Sequence, residues 1–165
     1  YDTLSGAVEG GSLDCVKYLR SILPVDHRSI STAAKYGRLD CLKYLYEEYL
    51  NQENGLATLD KNEIMNYAVE IGHIGCIKYL REMEFPWREK NCTIAAMTGN
   101  VECLKYLHEN GCPWNEETPH KAATNGHLEC LKYAHENGCP WEDLEVFIPS
   151  NRSQSECLKY MVNNG

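Results

Sequence analysis

The sequence predicts an all-α chain, a solenoid of helix–turn–helix repeats. Three motifs in one register predict it. The pentapeptide Cys-x-Lys-Tyr-x starts at Cys15, Cys41, Cys76, Cys103, Cys130 and Cys157, at intervals of 26, 35, 27, 27 and 27 residues. Cys112-Pro113-Trp114 and Cys139-Pro140-Trp141 lie 27 apart, and Phe85-Pro86-Trp87 stands 27 residues before the first of them. Ala33-Ala34, Ala95-Ala96 and Ala122-Ala123 precede Gly37, Gly99 and Gly126. A period of this length marks an array whose units bury their apolar surface only by stacking on one another.

The unit is 27 residues, with one deletion and one eight-residue insertion. Counted from the Trp position, a single array over residues 1–165 divides into units 1–24, 25–59, 60–86, 87–113, 114–140 and 141–165. In the unit from Trp114, Glu117 to Asn125 form a first helix, thin at Ala122 and Ala123 so that a neighbour can approach. Gly126 permits a tight turn. Leu128 to Asn137 form a second helix, closed by Gly138 in the left-handed position and stopped by Pro140. That second helix spreads Tyr133, Cys130, Ala134, Leu131 and Leu128 over an arc of about 220°, against ~100° for a one-sided surface helix. So wide an arc requires neighbours on more than one side.

The insertion follows the second helix of the Val25 unit. Helix is predicted from Leu39 to about Gln52, broken at Asn54-Gly55 and overhanging its neighbours by up to about two turns. In the last unit Pro149-Ser150 replaces the Ala pair, as in a capping repeat. The chain stops at Asn164-Gly165, where the next Cys-Pro-Trp would begin, which leaves the array open to continue.

The stretch Ala122-Ala-Thr-Asn-Gly-His-Leu-Glu-Cys-Leu-Lys-Tyr-Ala-His-Glu-Asn-Gly138 resembles the core of the ankyrin repeat. The whole chain is similar to the divergent, short Cys-Pro-Trp ankyrin repeats of protists, algae and large DNA viruses. The resemblance implies an ankyrin-like helical solenoid that binds proteins. Ordinary ankyrin units run ~33 residues, so this unit is about six short. The projecting β-hairpin is therefore expected to be reduced or absent, with Cys-Pro-Trp as a tight connector. Thr118-Pro119-His120-Lys121 sits one position off the family's Thr-Pro-Leu-His.

Composition narrows the function. With 24 acidic and 16 basic residues the formal charge is −8, which disfavours nucleic acid as a partner. No run of 18 apolar residues occurs, so direct membrane insertion is not expected. The first residue is Tyr1, with no initiator Met, which reads as a fragment and leaves room for a targeting segment outside it. An intracellular, reducing compartment, cytoplasm or nucleus, is expected for the nine cysteines.

Residues that look like chemistry have architectural readings. Equivalent cysteines in neighbouring layers lie about 8–10 Å apart, too far for a disulfide. No Cys-x-x-Cys pair offers zinc a site. The ladder cysteines therefore read as small buried hydrophobes. Cys92 lies outside both periodic sets and is the candidate reactive thiol. Asp14, Asp40, Glu102, Glu129 and Glu156 each stand three residues before a ladder lysine and are expected to pair with it. His73 and His127 follow turn glycines and are expected to satisfy backbone groups there. Trp87, Trp114 and Trp141 read as packing between units. No phosphate loop, His-Glu-x-x-His or nucleophile elbow occurs, so neither an enzyme nor a cofactor is expected.

Specificity should reside in positions that vary between units. The two positions before each turn glycine do so: Lys35-Tyr36, Glu70-Ile71, Met97-Thr98 and Thr124-Asn125. In ankyrin-like stacks this end of the first helix faces the concave surface. A contact stripe for a protein partner is expected there. An alternative is a structural subunit of a larger complex, anchored by Tyr46 and Tyr49 on the long helix.

Overall fold

The computed structural model describes residues 3–52, 59–141 and 147–164. Among the described residues there are eleven α-helices and no strand. The fold is all-α, and connectors stand where hairpins were expected to shrink. The break expected at Asn54-Gly55 lies outside the described residues. Contacts divide the chain into two compact units, Tyr1–Pro86 and Trp87–Gly165.

In the first unit the pairs are α1 (Thr3–Gly10) with α2 (Leu13–Arg20), α3 (His27–Lys35) with α4 (Leu39–Leu50), and α5 (Lys61–Ile71) with α6 (Ile74–Glu82). First helices α1, α3 and α5 pack in one row, and second helices α2, α4 and α6 in another. Between the rows Val8, Ile30, Ala34, Leu42, Leu45, Met65, Ala68, Ile77 and Leu80 are wholly buried. In the second unit α7 (Glu89–Thr98) pairs with α8 (Val101–Glu109) and α9 (Glu117–Thr124) with α10 (Leu128–Glu136), while α11 (Arg152–Asn164) packs on both α9 and α10. Ala95, Ala96, Leu104, Leu107, Ala122, Ala123 and Leu131 form its core.

The Ala pair serves the turn as well as the packing. The N–H after each turn glycine donates to the carbonyl five residues back: Arg38 to Ala33 at 2.8 Å, His73 to Ala68 at 3.0 Å, Asn100 to Ala95 at 3.0 Å and His127 to Ala122 at 2.8 Å. This is a Schellman closure, which needs a left-handed residue between. Second helices close in the same way, with Phe85 bonding Leu80 at 3.0 Å, Cys112 bonding Leu107 at 2.9 Å and Cys139 bonding Ala134 at 2.9 Å. Gly111 and Gly138 supply the left-handed residue in the last two, but Glu84 supplies it in the first, at φ 59°. An L-residue there is strained by roughly 1–2 kcal/mol, partly offset by the chain entropy that glycine adds to the unfolded state. Glu84→Gly is therefore expected to stabilise the protein by about 0.5–1 kcal/mol, seen as a raised urea midpoint at unchanged m.

Two expectations need correction. Helix α4 has 12 residues against 9 in α6, so it is longer by less than one turn, not two. It ends where burial ends: Tyr49 is its last buried residue, and Leu50 and Asn51 are exposed. A further turn would have no apolar neighbour to stabilise it. In the last unit, residues 147–150 form no helix, and α11 begins after Asn151, whose side chain accepts from the Gln154 N–H at 2.9 Å.

Candidate functional site

Repeat-defining side chains face inward. Cys41, Cys76, Cys103, Cys130 and Cys157 are buried, and all nine cysteines are free. Burial pushes the Cys76 thiol up to about 11 and those of Cys103 and Cys130 up to about 12. Such groups stay protonated at neutral pH and make poor nucleophiles.

Cys92 is wholly buried, which corrects its reading as a reactive thiol. Its hydrogen bond to Cys112 and its burial both push the thiol far above its ordinary range. The exposed thiol is Cys15.

The connector cysteines have a further part in the second unit. Cys112 Sγ donates to the Arg88 carbonyl at 3.4 Å, and Cys139 Sγ donates to the Asn115 carbonyl at 3.3 Å. Each ties its connector to the connector before it. Phe85 takes the same place in the first unit and packs edge-on to Tyr46 at 5.3 Å.

Tryptophans and histidines share one packing motif. The His108 ring stacks on Trp114 at 3.8 Å and bonds the Tyr133 hydroxyl at 2.9 Å. His135, Trp141 and Tyr160 repeat it at 4.0 and 2.9 Å. His108 and His135 are thus a set, which sequence reading had treated only as equivalent positions.

His73 and His127 act on turn glycines, not on backbone polar groups. A Cβ on Gly37 would lie 2.1 Å from the His73 ring, and one on Gly99 would lie 2.5 Å from the His127 ring. Arg38 covers Gly11 and Ser153 covers Gly126 in the same manner.

Of the lysine pairs, Lys105–Glu102 and Lys132–Glu129 close at 2.9 and 3.2 Å. Lys17 and Lys43 lie instead over the rings of Tyr44 and Tyr79, at 5.8 and 5.7 Å, and Glu156 bonds Arg152. Among the described residues no group of three or more His, Cys, Asp or Glu is placed to hold a metal ion. No helix among them is long and apolar enough to cross a membrane.

The positions before the turn glycines face outward. Tyr36 is 38 % exposed, Ile71 47 % and Met97 38 %; Lys35, Glu70 and Asn125 are exposed too. In the first unit Lys35 Nζ stands 5.9 Å from the rings of both Tyr36 and Tyr67. The Tyr36 hydroxyl bonds Glu9, which pushes the phenol up. In the second unit Thr98 and Thr124 are half-buried, and their hydroxyls donate back to the Ile94 and His120 carbonyls at 3.0 and 2.9 Å. The Asn125 amide donates to the Lys121 carbonyl at 2.9 Å. These three present shape and methyl groups more than free donors.

Tyr46 and Tyr49 lie elsewhere. They are 4 % and 3 % exposed, and Tyr46 packs edge-on against both Phe85 and Tyr79. Their rings belong to the core of the first unit, so neither offers a face to a larger assembly. Sequence reading missed Tyr67 and the polar side chains beside it on α3. The available signal was that α3, His-Arg-Ser-Ile-Ser-Thr-Ala-Ala-Lys, has no carboxylate in an otherwise acidic chain.

Comparison with known proteins agrees with this geometry. Residues 30–81, within α3 to α6, match the family model for ankyrin repeats (many copies). No curated protein matches the chain. Among solved structures, the ankyrin repeat domain of human ASB11 is similar at a TM-score of 0.67 and 22% identity, over 85% of this chain and 71% of that one. At that identity the likeness shows the fold, which is the ankyrin-repeat fold over most of the chain.

Proposed function

We propose that the chain is a protein-binding scaffold or adaptor built from short Cys-Pro-Trp ankyrin units. Its contacts are made by the residues before the turn glycines. Ankyrin repeats are protein-interaction modules, and one observation carries the reading to these residues. Eight large apolar side chains stand exposed among the described residues, and Tyr36, Ile71 and Met97 are three of them. All three fall within the two positions before a turn glycine, while the repeat-defining apolar positions around them are buried. Scattered surface apolar residues are ordinary; recurrence at one register of a repeat is what supports a contact role. The nine free thiols fit work in a reducing compartment.

Changing Tyr36, Ile71 and Met97 together to Asp tests the proposal. Exposed substitutions of this kind shift stability by about 0.5 kcal/mol or less each, so far-UV circular dichroism should be unchanged. Capture of the partner that the unaltered protein retains should be lost. Undiminished capture by the triple variant would remove the surface from consideration.

A further inference from the structure

In the first unit the row of first helices encloses a recess of about 480 Å³ between α1, α3 and α5. That volume falls within the usual ~300–1,000 Å³ of ligand sites. Its charge is opposite in character to that of the molecule. The chain carries a net −8, yet the recess is lined by Arg28, Lys35 and His27, all from the carboxylate-free α3. Glu63 is the carboxylate in the lining, and it already accepts a hydrogen bond from the Tyr67 hydroxyl at 3.0 Å. Ser5 adds a hydroxyl from α1 whose oxygen is shielded and finds no hydrogen-bond partner among the described residues. Cations from one helix and hydroxyl donors from its neighbours converge on one volume, while the nearest carboxylate is engaged. An anionic group is what such an arrangement solvates.

We propose that this recess receives an acidic side chain of a bound polypeptide, a carboxylate or a phosphate. Arg28 and Lys35 supply the charge, and the Ser5 hydroxyl supplies a donor. The inference rests on the scaffold reading and names the chemistry of the partner at the first unit. Lys35 joins the two features, since it lines the recess and lies over Tyr36. An acidic segment would place its charge in the recess and its neighbouring residues against the exposed tyrosine. Charge also sets the sign of selectivity, because the remaining acidic surface repels an acidic peptide everywhere else.

Three labelled peptides of one length test this by fluorescence anisotropy: one rich in Glu, one carrying phosphoserine at the same places, and one carrying Gln there. The full chain should bind at least one acidic peptide, less tightly as salt rises, and the Gln peptide should not bind. The tighter of the two acidic peptides identifies carboxylate or phosphate as the natural group. Arg28→Gln with Lys35→Gln should weaken that binding about tenfold or more. Glu63→Gln should tighten it by up to about fivefold by removing a like charge. The opposite signs separate charge recognition from loss of folding. Failure of both acidic peptides to bind, equal binding of the Gln peptide, or indifference to the Arg28 and Lys35 changes would each overturn the inference. The scaffold reading is decided separately, by the Tyr36, Ile71 and Met97 variant.

Discussion

Phe85→Ala is expected to destabilise the first unit by about 3–5 kcal/mol, the cost of removing a fully buried aromatic ring and leaving a cavity. Phe85 is wholly buried. Its ring meets Tyr46 edge-on at 5.3 Å, and Lys61 Nζ stands 5.0 Å over it. Two packing terms are therefore lost beyond buried area: an aromatic pair of about 0.5–1.5 kcal/mol and a cation over a ring of roughly 0.5–1 kcal/mol. The repeat places cysteine here in the second unit, at Cys112 and Cys139, where the thiol bonds a connector carbonyl. Cys139→Ala removes one sulfur and one weak donor, so its cost should be no more than about 1–2 kcal/mol. Because a domain's whole stability is of order 5–15 kcal/mol, the Phe85 change should shift the urea transition strongly and raise hydrogen exchange along α4 and α6. Similar midpoints for the Phe85 and Cys139 variants would mean that Phe85 is no more than a spacer.

Gly37→Ala should have the next largest effect, about 2–4 kcal/mol, in two separable parts. Gly37 has φ +65°, and an L-residue in that region is strained by roughly 1–2 kcal/mol. The added methyl would also lie 2.1–2.3 Å from three atoms of the His73 ring, so the ring must leave the turn it covers. A double-mutant cycle with His73→Ala divides the parts. In the His73→Ala background, Gly37→Ala should cost only the backbone strain, giving a coupling of about 1–2 kcal/mol. Gly111 is a useful reference, with φ +83° and nothing within 4 Å of an added Cβ; its change to Ala should show the strain alone. A coupling near zero would show that His73 does not pack on the glycine in solution. Gly99 and His127 offer the same test in the second unit.

These two sites illustrate which features a repeat sequence makes legible. The period, the Ala pair and the turn glycines were readable because each has a local cause. A Schellman closure spans six residues and needs one left-handed position, so its signature is contiguous in the chain. Helices α9 and α10 accordingly lie within a residue of their expected bounds, at Glu117–Thr124 and Leu128–Glu136. The outward direction of Tyr36, Ile71 and Met97 was also legible, because these residues depart from a pattern that packing explains. Glu84 at a left-handed position was not, since nothing adjacent to it replaces the glycine signal.

By itself, then, the sequence determined an all-α array of short helix pairs, where each pair turns, and which ladder positions are apolar. Local hydrogen bonding and backbone sterics suffice for those properties. Only the tertiary structure decided exposure and company: Tyr46 and Tyr49 inside, Cys15 outside while Cys92 is sealed, histidines seated on glycines, and three cationic side chains of α3 gathered at one recess. In a stacked array a side chain's surroundings come from the helices of the unit before and the unit after, some 25–35 residues away in this chain. Equal local sequence can therefore meet unequal neighbours. That is why Cys15 and Cys41, alike in motif, differ in exposure, and why the recess of the first unit could not be read from the repeat that builds it.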